Sequence, residues 1–173
     1  SLCPASVYLR LCTRFCVHRV LAVRILRQRQ MCIVDSPNSL FAIADDWGWP
    51  HAGAYGDPVV KTPAFDRLAE EGVLFRNAFV SSPSCTPSRG AILTGQWHWR
   101  LGATANLWSV FPDRFRTYPE ILQEAGYHTG STSKGWGPGK TETPGRQLAG
   151  PRGHRNLEEF IESVPEGQPW CFW

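Results

Sequence analysis

Cys85 opens the run Cys85-Thr86-Pro87-Ser88-Arg89-Gly90-Ala91-Ile92-Leu93-Thr94-Gly95, which sets a sulfur nucleophile, a hydroxyl and a guanidinium within five positions. Pro87 suits the first turn of a helix, where its missing N–H costs nothing, and Gly95 suits the end of one. The run therefore predicts a helix with Cys85 at or just before its N-terminus. Free backbone N–H groups and the positive end of the helix dipole favour an anion there. Arg89 follows about one turn later and faces the same side. Together these groups would cradle an anionic ester. The Cys-x5-Arg pattern of cysteine phosphatases is excluded, because only three residues separate Cys85 from Arg89.

Two further places hold groups of the right type. Asp45 and Asp46 close the apolar run Leu40-Phe41-Ala42-Ile43-Ala44. Hard cations take oxygen ligands, so paired aspartates offer half of a Ca²⁺ or Mg²⁺ site. The same pair also fits a solvated turn or a helix cap. Lys134 lies in the glycine-rich stretch Ser131-Thr132-Ser133-Lys134-Gly135-Trp136-Gly137-Pro138-Gly139, as an anion clamp or as a surface lysine. His51, His98, His128 and His154 are assigned no catalysis.

The elements around these residues alternate between strand and helix. The run 40–44 predicts a buried parallel strand, whose C-terminal end is where open α/β sheets bind ligands. Thr62 to Gly72 reads as a helix with Thr62 as cap, Pro63 at its first position and Phe65, Leu68 and Ala69 on one apolar face. Val73 to Val80 reads as a strand leading to the cysteine loop. Tyr118 to Gly130 reads as a helix, a glycine cap and a strand; 144–155 as a loop; Asn156 to Ser163 as an amphipathic helix. Pro169 to Trp173 begins another apolar strand. Such alternation predicts an α/β fold with a mostly parallel sheet.

The register Cys-x-Pro-Ser-Arg-x-x-x-Leu-Thr-Gly resembles the signature of the sulfatase family. The stretch Pro37 to Gly48 resembles that family's opening strand with its two metal-binding aspartates, and 62–79 resembles the segment that follows. The stretch Lys134-Gly135-Trp136-Gly137-Pro138-Gly139 looks closest to heparan N-sulfatase-like members, although Ser133 stands where the family commonly has glycine and the usual histidine is absent. The resemblance implies an alkaline phosphatase-like three-layer αβα sandwich, incomplete in residues 37–173, with three or four of its strands and an open sheet edge. It implies that a formylglycine-generating enzyme converts Cys85 to formylglycine. Asp45, Asp46 and the converted Cys85 would then hold Ca²⁺, with Mg²⁺ as the alternative. Arg89 would steady the modified side chain and Lys134 would grip the sulfate. The substrate implied is a sulfated small molecule or glycan, hydrolysed as an ester or sulfamate. The family places a pocket histidine and the remaining metal ligands beyond Trp173, so residues 1–173 alone are expected to be inactive. Two other readings stay open: a phosphate or phosphonate ester hydrolase of the same superfamily, and a non-enzymatic remnant.

Composition bounds the remainder. The 173 residues carry a net charge of +3, but 1–34 hold six arginines and no acid. The rest of the chain holds twelve Lys and Arg against fifteen Asp and Glu, so no nucleic-acid patch is expected there. Residues 1–36 are read as an Arg/Cys-rich extension, either a misread gene start or a helical addition. Its run Val20-Leu21-Ala22-Val23 is too short for a membrane span or a secretory core. The family implies a periplasmic or secreted protein, yet no clear signal peptide is visible. Cys85 and Cys171 make no disulfide framework.

Overall fold

A computed structural model describes residues 38–173. The Arg/Cys-rich extension over 1–36 lies outside the described residues. The chain forms two compact units, one taking Asp46–Phe79 and the other joining the segment that ends at Asp45 to Val80–Trp173.

The smaller unit is built around α1, Pro63–Glu71. Pro63 sits at the first helical position as expected, and the Gly72 N–H returns to the Leu68 carbonyl. Thr62 caps differently from expectation. Its hydroxyl donates to Asp66 at 2.9 Å and accepts from the Gly53 N–H at 2.9 Å, tying the 3₁₀ turn Gly53–Tyr55 to the helix. Phe65 packs edge-on against Trp47, but Leu68 is exposed, so the apolar face is narrower than its pattern suggested. The strand expected over 73–80 does not form. It has no pairing partner among the described residues, and Phe75, Phe79 and Val80 are exposed.

The larger unit holds two parallel sheets. One has the order β1–β5–β3, with β1 at Ser39–Leu40, β3 at His128–Gly130 and β5 at Trp170–Phe172. The other pairs β2, Ser109–Phe111, with β4, Gly139–Thr141. Every ladder is parallel, as the alternation of elements predicted. β5 is the central strand of its sheet: Cys171 stands between Ser39 and Thr129, and Phe172 between Leu40 and Gly130. The strand expected over 40–44 is the weakest element. Only Ser39–Leu40 pairs fully, with one further bond from the Phe41 N–H to the Phe172 carbonyl at 2.9 Å. Leu40 and Phe41 are exposed rather than buried, because β1 is an edge with no strand on its outer side among the described residues.

Three helices flank the sheets. α2 spans Cys85–Thr94 and ends at Gly95 in the left-handed region, φ 66°, which glycine adopts without steric cost. α3 spans Tyr118–Glu124, where the Glu120 carboxylate accepts the Thr117 N–H at 2.8 Å. α4 spans Leu157–Ser163, capped by Asn156 accepting the Glu159 N–H at 2.9 Å. Phe160 of α4 stacks on Phe172 at 4.5 Å between centroids. A Cβ on Gly130 would meet the Phe160 ring at 2.6 Å, so a larger residue there would force the ring to shift. On the other side of the unit, Leu93, Phe111, Leu148, Ala149 and Trp173 form the core, with Ile43, Phe115, Tyr118 and Trp136 against it. Among the described residues no helix is long and apolar enough to cross a membrane.

Candidate active site

Parallel strands share one C-terminal edge, and three segments leave the β1–β5–β3 sheet there. β1 runs on through Phe41 to Asp45, β3 leads into the loop carrying Lys134, and β5 runs into Trp173. α2 brings Cys85 in as its first residue, with Ser84 as the N-cap. The N–H groups of Cys85 and Thr86 have no acceptor inside the helix, since helical bonds reach back four residues.

The structure brings Asp45, Cys85, Arg89 and Lys134 together, although they lie far apart in sequence. The Lys134 Nζ donates to one Asp45 oxygen at 2.6 Å and an Arg89 nitrogen donates to the other at 3.1 Å. Ligand atoms of Asp45 and Cys85 lie within 4.8 Å of each other. Hydrogen bonds from Lys134 and then Arg89 hold the Asp45 carboxyl below its ordinary 3.8. Asp45, with Cys85 beside it, pushes the Lys134 ammonium above 10.5. Asp46 follows Asp45 in the chain, opens the smaller unit and has a left-handed φ of 56°.

Arg89 is the buried member, at 5% exposure. Besides Asp45, its guanidinium donates to the Lys134 carbonyl and, at 3.4 Å, to the Gly135 carbonyl. A buried guanidinium is tolerated only when paired and hydrogen-bonded, and these carbonyls complete the pairing. Arg89 thus fastens the lysine loop to α2 as well as facing Asp45. Ser133, at φ 56°, explains why its position favours glycine: an L side chain there costs about 1–2 kcal/mol in the left-handed region.

Sequence reasoning missed the rest of the loop's fastenings. Thr86, fully buried, donates to the Pro138 carbonyl at 2.8 Å, and the Trp108 N–H reaches the same carbonyl at 2.9 Å. The Trp173 indole donates to the Lys134 carbonyl at 3.2 Å. No local signal announces such bonds, because they join residues tens of positions apart. The histidines stand in other hydrogen bonds: His51 with Asp57 at 3.1 Å, His98 with Ser81 at 2.7 Å and His128 with Ser163 at 3.2 Å. Cys171 is buried, and desolvation raises its thiol to about 11, which makes it inert at neutral pH.

The donor set fits a hard cation. Asp45 offers two carboxylate oxygens, each with a lone pair beyond the bond it accepts, and its side chain is 45% exposed.

The sulfatase family model matches residues 37–172. Human N-acetylgalactosamine-6-sulfatase is 40% identical over 103 residues, covering 53% of this chain and 20% of the human protein. Human arylsulfatase D is 40% identical over 108 residues, 57% of this chain and 18% of its own. Mouse iduronate 2-sulfatase is 41% identical over 107 residues, 61% of this chain and 19% of its own. A solved sulfatase structure from work on glycosaminoglycan metabolism by Bacteroides thetaiotaomicron superposes with a TM-score of 0.51 at 40% identity, over 56% of this chain and 21% of that one. The chain therefore spans about a fifth of the length of the relatives it matches. With the match running through 37–172, far more than half of its residues, the chain belongs to the sulfatase family and carries part of that family's alkaline phosphatase-like α/β fold.

Proposed function

We propose that residues 37–173 are the N-terminal part of a sulfatase domain, and that they supply the nucleophile and half of the metal site for hydrolysis of sulfate esters or sulfamates. One observation carries this reading: a helix N-terminus bearing Cys85 meets the Lys134 ammonium and the Asp45–Arg89 pair at one sheet edge. The relatives' names point to sulfated sugars, so a sulfated glycan is the substrate class we infer.

Oxidised to formylglycine by a generating enzyme, position 85 would supply a hydrated aldehyde. One hydroxyl oxygen would bond to sulfur as the bond from sulfur to the alcohol or amine breaks, and the second hydroxyl would then expel sulfate and restore the aldehyde. Asp45 and Asp46 would hold a Ca²⁺ or Mg²⁺, which when bound would supply Lewis-acid charge for the sulfate. The chain's own residues do the positioning. Lys134, which lies beside Cys85, leaves Asp45 to grip the sulfate when a cation takes over that carboxylate. Arg89 holds Asp45 and the lysine loop in place and adds positive charge where negative charge builds in the transition state. Asp45 and Asp46 provide only part of the ~6–8 oxygens that Ca²⁺ takes. No histidine among the described residues hydrogen-bonds into this cluster to protonate the leaving alcohol. Residues 1–173 by themselves are therefore proposed to lack turnover.

The test is conversion of Cys85. Co-expressed with a formylglycine-generating enzyme, the chain should yield a residue-85 peptide carrying an aldehyde by mass spectrometry. Unmodified cysteine, under conditions that convert a control sulfatase, would remove the reading. Asp45→Asn with Asp46→Asn should weaken Ca²⁺ binding by calorimetry at least tenfold; equal affinity removes the pair from the metal site. In the longer protein, preference for phosphate over sulfate monoesters would move the assignment to phosphate ester hydrolysis.

A further inference from the structure

Trp173 touches both segments that bring charge to the site. Its ring lies 5.1 Å from Phe41, in the segment that runs from β1 to Asp45. Its indole N–H donates to the carbonyl of Lys134. Its backbone closes the same arrangement: the Trp173 N–H donates to the Gly130 carbonyl at 3.0 Å, and its carbonyl accepts the Thr132 N–H at 3.0 Å. The side chain is 6% exposed and packs in the core with Leu93, Phe111, Leu148 and Ala149.

We infer that Trp173 is a positioning residue that sets the distance between Lys134 and Asp45. The inference rests on the function proposed above and concerns that same anion site. The Lys134 carbonyl accepts from two sides, Arg89 of α2 and Trp173 just after β5. A carbonyl held at two points fixes the Cα from which the lysine stem departs. A four-carbon stem would otherwise sample many rotamers, so the aim of its ammonium depends on where that stem starts. The other end of the pair hangs from a short edge strand that pairs through Ser39 and Leu40 and one bond at Phe41. The Phe41–Trp173 contact, with Ile43 packed against the same core, steadies it. One indole therefore braces both partners, while its ring never reaches the reacting atoms.

Trp173→Phe tests this, because phenylalanine keeps an aromatic ring in the core and removes the N–H donor together with part of the indole's bulk, and Trp173→His serves as the control for the donor. The full chain should retain its circular dichroism and most of its thermal midpoint. Hydrogen exchange at the Gly135 and Trp136 amides should rise about tenfold, while amides of α4 stay as in the wild type. Binding of inorganic sulfate, measured by calorimetry, should weaken about fivefold, and Lys134→Met should weaken it further. Unchanged loop exchange in the Phe variant overturns the inference, as does a uniform rise across all elements, which marks a merely structural role. Absence of sulfate binding in the wild type would count against the anion site itself, and loop exchange would still decide the role of Trp173. Trp173→His, which can restore a ring N–H, should bring loop exchange back toward wild type.

Discussion

α1 and α2 are written in similar sequence grammar and meet different fates. Each carries proline in its first turn and is closed by glycine, at Gly72 and Gly95. α1 separates apolar from charged positions more cleanly, yet none of its residues is buried. α2 shows little sidedness, yet Thr86, Pro87, Arg89, Gly90, Ala91 and Leu93 are buried. A two-faced pattern tells which side of a helix turns inward, and says little of how deep it goes. A helix buried over most of its surface is instead written with small residues where neighbours come close. A Cβ on Gly90 would come within 3.2 Å of Leu101 and 3.5 Å of the Trp136 indole nitrogen. The helix that carries Cys85 and Arg89 is the one its neighbours bury over most of its length.

The sharpest way to break this contrast is to cut equal side chains from the two helices. Leu93 is fully buried in the core and Leu68 is 67% exposed. Leu93→Ala should cost about 2–5 kcal/mol, the transfer and cavity terms together. Leu68→Ala should stay within about 0.5 kcal/mol. Urea unfolding of both variants measures the difference. Equal losses would mean that α1 is covered in solution and that the contrast fails.

Part of this was legible in the sequence. The caps and prolines placed α1, α2, α3 and α4 to within a residue or two, since those signals lie within a few positions of the elements they bound. That Asp45, Arg89 and Lys134 share a site came only from the resemblance to sulfatases, since each read alone also fits a bland role. What failed was long-range pairing. The run 73–80 has strand composition and finds no partner, and 40–44 has the composition of a buried strand but lies at an edge. Arg146 gave no signal at all. Its guanidinium grips Glu120 at 2.7 and 2.9 Å, Asp113 at 3.3 Å and the Pro112 and Phe115 carbonyls, locking the loop over 144–155 to the start of α3. One loop arginine among many cannot announce partners 26 to 34 residues away.

The arginines of the two helices extend the contrast to charge. Arg89 is buried on two carbonyls and a carboxylate; Arg67 pairs with Glu71 on the exposed side of α1 at 2.7 Å. Arg89→Met should cost about 2–4 kcal/mol, because the Lys134 and Gly135 carbonyls lose a donor and Asp45 loses a partner. Arg67→Met should cost no more than about 0.5 kcal/mol, the range of exposed i,i+4 pairs. Thermal unfolding separates them. A second readout follows from the geometry: in Arg89→Met the Lys134 loop should exchange its amides faster, and in Arg67→Met it should not.

The smallest effect compares two carboxylates held by different means. Asp57 of the smaller unit accepts the N–H groups of Val60 at 3.0 Å and Val59 at 2.8 Å, with His51 third, and these lower its carboxyl from 3.8 to about 2. Asp45 is also lowered, but by side-chain cations, Lys134 first and then the buried Arg89. Both groups add stability above the ordinary value of 3.8. That contribution is lost as pH falls through the folded value, which for Asp57 means between about 4 and 2. Lys134, raised by Asp45, adds stability below 10.5 and loses it as pH rises past its folded value. The means of holding decides how each responds to salt. At about 1 M ionic strength the screening length shrinks to roughly 3 Å, which weakens pairs between exposed charges. Backbone N–H groups fixed two and three residues along the chain cannot drift away or be screened in the same manner. Carbon-13 titration of the carboxyls should therefore find Asp57 near 2 at both low and high salt. Asp45 should climb toward 3.8 at high salt, and again in Lys134→Met at low salt. If Asp57 moves with salt as much as Asp45, its backbone bonds are not what holds it. If Asp45 stays put in Lys134→Met, Arg89 alone sets its charge, and the lysine is free for the anion from the start.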